Sequence, residues 1–320
     1  MVVQTSLLHH FCVMTDEHRC SQAPITPSEY QPDRRPLELC FSITLPADFK
    51  ITMSDIAGPG SMALSSLSSS QLKFIRSLPK AELHAHLNGS IPLSTLRDLA
   101  SSYDPSALES TISSAAVQAG LEKLKTGVAL NEIDDFFKLF PVIYALISTP
   151  DAIARATLGV LDAFFIPRKD GSGPECTYLE LRTTPRETPH MTHEVYLRTV
   201  LVTIQQYSRT LSPLPQSLGH VSIKRRISLI VSLDRRMSKE TMNEIVSTVL
   251  RLKREGLGIV GVDLCGDPRA GDVAEWKDVF AKVREVGLGM TFHIAEVHNF
   301  YLFNRSANLL CHPIDVGQLV

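Results

Sequence analysis

The chain has 320 residues, 44% hydrophobic and 21% charged, enough for one large core or a medium core with a tail. A formal charge of -2 gives neither the basic surplus of a nucleic-acid binder nor a polybasic membrane anchor. The longest strongly apolar run, Ile227 to Leu233, is far too short to span a bilayer.

Residues 1–70 carry several prolines and end in the serine-rich SMALSSLSSS, so a poorly ordered extension is expected, with Met53 or Met62 as alternative starts. The opening MVVQTSLLHHFCVM lacks a basic start and a clear cleavage site and is not read as a signal peptide. From residue 71 strand and helix signals alternate. The strands are AELHAHL, then TYLELRTTP from Thr177, RISLIVSLD from Arg226, GIVGVDLCGD from Gly258 and GMTFHIAEV from Gly289. The segment from Asn131 to Ile147 reads as helix, with a kink or a break expected at Pro141. A helix capped by Ser238 places Met242, Ile245, Val249 and Leu252 on one face and stops before Gly256. Another places Val273, Trp276, Phe280 and Val283 together and stops at Gly287. Apolar strands alternating with helices predict a parallel sheet with crossover helices. Polar residues close each strand: Asn88, Thr183 and Thr184, Asp234, Asp267 and Glu296. Barrels of the (β/α)8 type carry their chemistry at that end. The six cysteines (Cys12, Cys20, Cys40, Cys176, Cys265 and Cys311) have neither zinc-finger nor redox spacing and read as reduced thiols of a cytoplasmic protein.

His84 and His86 stand two apart on a strand, so their imidazoles share a face and could offer two nitrogens to one metal. Two ordinary histidines would give the same pattern. His293 and Glu296, at the end of the fifth strand, could complete a metal site and move protons beside it. Gly266, before Asp267, lets a ligand approach the backbone, or simply turns the chain. Asp234, beside Arg235 and Arg236, is equally compatible with a surface ion pair. Arg182, Thr183, Thr184 and Arg186, around Pro185, carry groups suited to an anion, or form a solvated loop. Phe136, Phe137 and Phe140 suit helix core or a ligand wall.

Taken in order, LPKAELHAHLNGSI, TYLELRTTPR, VDLCGDP and TFHIAEV resemble the strand motifs of the adenosine/AMP deaminase family over roughly residues 71–299. The resemblance implies a zinc-dependent TIM (β/α)8-type barrel of the metallo-dependent hydrolase kind. It implies Zn2+ on His84, His86 and His293, with Glu296 as the acid that protonates purine nitrogen 1. Gly266 would meet the purine edge through its backbone, and water would replace the amine at carbon 6. LNGSI and LRTTPR resemble the branch acting on N(6)-methyl-AMP, with adenosine or AMP as the alternative substrate. In that branch His86, Asn88, Tyr144, Thr183, Thr184, Pro185, Arg186, Asp234 and Gly266 would contact the nucleotide. Asparagine at 88, where plain adenosine deaminases carry aspartate, removes a charge that would repel a 5′-phosphate.

After Asn299 the resemblance stops. The family continues with an R-x-G-H-type motif and a T-D-D-P-type motif, and neither occurs in residues 300–320. Five of the eight barrel strands are therefore expected, in a truncated member with an unmatched tail at 300–320, and a catalytically inactive fragment is the alternative to an active deaminase.

Overall fold

Five strands, β1 (Ala81–His86), β2 (Tyr178–Thr183), β3 (Arg226–Asp234), β4 (Ile259–Cys265) and β5 (Gly289–Phe292), lie side by side in sequence order. Every neighbouring pair is parallel. The structure is a computed structural model and describes residues 65–104, 112–128, 137–167, 173–212, 224–267 and 270–293. The N-terminal extension expected over 1–70 falls mostly outside these residues, as do Phe136, Glu296 and the tail.

Parallel neighbours cannot be joined by hairpins, so the chain crosses back through helices between strands. After β1 come a four-residue turn of helix, α1 (Leu87–Ser90), then α2 (Leu93–Ser101), α3 (Ser114–Thr126), α4 (Phe140–Leu146) and α5 (Pro150–Phe165). Among the described residues, the later crossovers carry α6 (His193–Thr210), α7 (Lys239–Arg254) and α8 (Lys277–Glu285) in turn. A further helix, Ser69–Ser77, precedes β1. This succession is the (β/α)-barrel arrangement through its fifth strand. No helix among the described residues is long and apolar enough to cross a membrane.

Local sequence accounts for the helix ends. Ser238 accepts a bond from the Thr241 amide and opens α7. Its buried residues Met242, Ile245, Val246, Val249 and Leu252 recur every three or four positions and face the sheet. Gly256, at φ 83°, ends the run in a conformation that costs other residues more. Of the kink or break expected at Pro141, the break forms: Phe137 is helical, a turn follows at 138–139, and Pro141 sits in the first turn of α4, where its missing N–H costs nothing. The segment read as one helix from Val273 begins with a 3-10 turn, Val273–Trp276, before α8.

Strand alternation divides the sheet into two faces. Leu179, Leu181, Leu229, Val231, Leu233, Val262 and Leu264 join the helices in one apolar cluster. The opposite face carries Arg182, Ser232, Asp263 and Thr291, which are bonded to one another. A polar inner face is unusual for a parallel sheet, whose strands are normally apolar on both sides.

Candidate metal centre

His84 and His86 point from β1 onto the inner face, and His293 follows directly after β5. The three Nε2 atoms meet: His84 to His86 at 3.1 Å, His84 to His293 at 2.8 Å and His86 to His293 at 3.0 Å. β1 and β5 are the outermost of the five strands. In a flat sheet they would stand about 19 Å apart, four strand spacings, far beyond the reach of two imidazoles. The sheet is therefore curled, and its curl assembles the cluster.

Hydrogen bonding alone does not explain three nitrogens at these distances. Each neutral Nε2 is either a donor or an acceptor. With three atoms and two kinds, at least one contact joins two of the same kind. A cation shared by three lone pairs removes the conflict. Three nitrogens in tetrahedral positions about 2.0–2.1 Å from one zinc ion lie about 3.3–3.4 Å apart, a few tenths of an ångström beyond the observed spacings, so a small spreading of the rings would seat the ion. The lone pairs are kept available. Burial, with the nearby charges of Arg182 and His293, holds His84 down at about 3. Burial and the charge of His293 hold His86 down at about 3 as well.

Asp263 stands behind the cluster and is fully buried. Its Oδ1 faces His293 Nδ1 at 3.1 Å, accepts from Thr291 Oγ1 at 2.8 Å and meets Arg182 Nη1 at 3.4 Å. Its Oδ2 accepts from Ser232 Oγ at 3.0 Å. Burial alone would raise this carboxyl. The His293 hydrogen bond and the charges of His293 and Arg182 outweigh burial and hold it well below the usual carboxylate range. A carboxylate on the far nitrogen of a histidine fixes the ring and its tautomer, as in the outer shell of metal sites. Arg235 adds a second tie, donating from Nη2 to the His293 carbonyl at 2.9 Å.

The residues expected at a nucleotide lie at the same end of the sheet, with two exceptions. Arg182 is not free for an anion; it is buried and donates to the Leu83 carbonyl, Thr291 and Asp263. Thr183 turns its hydroxyl to Tyr196 at 2.8 Å, on the helix side, because it alternates with Arg182. Thr184 faces Cys265 across 3.6 Å, and buried Pro185 leads to Arg186, whose guanidinium lies 3.9 Å above the Tyr144 ring. Phe140 packs against the same tyrosine, whereas Phe137 is exposed. Asn88 is buried in α1, and its Oδ1 has no hydrogen-bond partner among the described residues. Asp234 does form the ion pair with Arg236, whose Nε lies 2.8 Å from Oδ1. Glu296 lies outside the described residues.

Gly266 has a φ of 93°, and a Cβ there would lie 2.5 Å from Asp234 Oδ1. Both facts require glycine. Gly266→Ala is expected to lower the thermal midpoint by several degrees, from roughly 1–3 kcal/mol of strain and displaced carboxylate. An unchanged melting curve would show that the loop relaxes freely.

The adenosine deaminase family profile matches residues 79–302. The chain is 36% identical to a Caenorhabditis elegans adenosine deaminase-like protein over 224 residues, 69% of this chain and 50% of that one. It is 30% identical to an Arabidopsis thaliana N6-mAMP deaminase over 242 residues, 71% of this chain and 63% of that one. The crystal structure of Arabidopsis ADAL complexed with IMP superposes with a TM-score of 0.58 at 29% identity, covering 74% of this chain and 64% of that one. The chain thus spans about half the length of the nematode relative.

Proposed function

This chain belongs to the adenosine deaminase family, and we propose that it serves hydrolytic deamination of a 6-aminopurine nucleotide, first of all N(6)-methyl-AMP, giving IMP and methylamine. The convergence of His84, His86 and His293 Nε2 carries the reading. Those three residues would hold zinc. Bound there, the ion would lower the pKa of a water to near neutrality.

The other residues would bind and orient. Asn88 has a buried oxygen still able to accept and an amide able to donate, so it suits a ribose hydroxyl or a phosphate equally. Arg186 and Tyr144 stack on one another, and the guanidinium suits a phosphate, while Thr184 beside Cys265 offers a hydroxyl. Gly266 brings backbone close to the purine edge, next to Asp234. Glu296, three residues beyond His293, would deliver the proton to purine nitrogen 1. Asp263 keeps the His293 ring in place. The Arabidopsis relatives support the substrate class: one is an N6-mAMP deaminase and another was crystallised with IMP.

The test is a product assay on the purified chain with zinc and, in parallel, N(6)-methyl-AMP, AMP and adenosine. IMP and methylamine should form faster than any product from adenosine. Faster turnover of adenosine, or no turnover by zinc-loaded chain, would overturn the reading. Asn88→Asp should reduce the preference for monophosphate over nucleoside on the order of 10-fold to 100-fold, because a carboxylate would face the phosphate.

A further inference from the structure

β1 has one residue more than its partner strand at the point where the centre begins. Glu82 pairs with Leu179 and Ala85 with Leu181, so three steps along β1 face two along β2. The extra residue falls within Leu83–His84 as a bulge, and a bulge re-aims the side chain that follows it. Two backbone groups of the bulge are bonded by side chains. The His84 amide donates to Glu82 Oε1 at 2.8 Å, and the Leu83 carbonyl accepts from Arg182 Nη2 at 3.0 Å.

Both side chains are costly to place there. Glu82 is 5% exposed and Arg182 8%, and charged groups are buried only where partners hold them. Arg182 also contacts Asp263, which meets His293 Nδ1. One guanidinium thus ties the bulge before His84 to the carboxylate behind His293. We propose that Glu82 and Arg182 are positioning residues that set the β1 bulge and so aim His84 Nε2 at His86 and His293. This rests on the three histidines being a metal site. Glu82 acts through the His84 backbone, by accepting the His84 amide.

The experiment compares the whole chain, labelled with nitrogen-15, as wild type, Glu82→Gln and Glu82→Ala. It reads hydrogen exchange at the His84 amide, the His84 imidazole nitrogen shifts, and affinity for Co2+ followed by its visible spectrum. In Glu82→Ala the His84 amide should lose protection on the order of 100-fold relative to other β1 amides. Co2+ affinity should fall on the order of 10-fold to 100-fold. Glu82→Gln keeps an oxygen acceptor at the same place and should stay within about threefold of wild type on both. A purely structural Glu82 would lower the thermal midpoint and leave the Co2+ affinity of the folded chain unchanged. That outcome, or unchanged His84 exchange, overturns the proposal. If Glu82→Ala does not fold, Glu82→Met fills the same space without an acceptor and makes the same comparison. A wild-type chain that binds no Co2+ defeats the metal reading alone. The His84 exchange and imidazole shifts then still decide whether Glu82 sets the bulge and the ring.

Discussion

His293→Ala is expected to lower zinc affinity on the order of 100-fold or more while leaving the chain folded. Loss of an outer-shell partner alone typically costs 10-fold to 100-fold, and this change removes one of three converging ligands. The fold should tolerate it. The residue's amide still donates to the Leu264 carbonyl, and Asp263 keeps Ser232, Thr291 and Arg182. Two of the three mutually crowded nitrogen contacts disappear with the ring. The metal-free variant should therefore melt within a few degrees of the parent. Competition with a chromogenic chelator measures the affinity, and His190→Ala, at an exposed position, is the control. Equal affinity in His293→Ala would remove the cluster from consideration as a metal site.

Much of this frame was legible because its signals are local. The β3 segment from Arg226 to Asp234 forms over its whole predicted length, and Ser238 and Gly256 bound α7 as their chemistry requires. His84 and His86 share a face because alternation puts them there. Their meeting with His293 depends on how strongly five strands curl, which no single segment encodes. The β1 bulge is a property of register against β2 and is likewise invisible in AELHAHL. Arg182 shares with Thr184 and Arg186 the chemistry of an anion holder, and sequence alone does not separate them. Its true partner, Asp263, is 81 residues away. Alternation along β2 does separate Thr183: it lies on the opposite face from Arg182, so its hydroxyl leaves the site for Tyr196. Asp263 was also within reach of sequence reasoning, as an acidic residue inside the apolar run Ile259–Cys265.

Asp263→Ala is expected to be among the most destabilising single changes in the chain. It leaves Arg182 in a buried site without its carboxylate and takes the acceptor from Ser232 Oγ and Thr291 Oγ1. Breaking a buried ion pair from one side costs about 3–5 kcal/mol, because the remaining charge stays desolvated. For a domain of this size that corresponds to a fall in thermal midpoint of about 10 °C. The cost lies in the orphaned charge, so removing both charges should restore much of it: Arg182→Met with Asp263→Leu should melt well above Asp263→Ala. A coupling of at least about 2 kcal/mol between the two positions is expected from the cycle. Metal affinity should not follow the recovery. The double variant lacks the Arg182 bond to the Leu83 carbonyl and the Asp263 contact with His293 Nδ1, so one tie on each side of the cluster is gone while those of Glu82 and Arg235 remain. Thermal melts with Co2+ titrations on the wild type, both single variants and the double would separate the two effects. If Asp263→Ala melts like the wild type, the inner-face ion pair contributes nothing to the fold. If the double variant recovers metal affinity together with stability, Arg182 and Asp263 act on the histidines only by keeping the sheet folded.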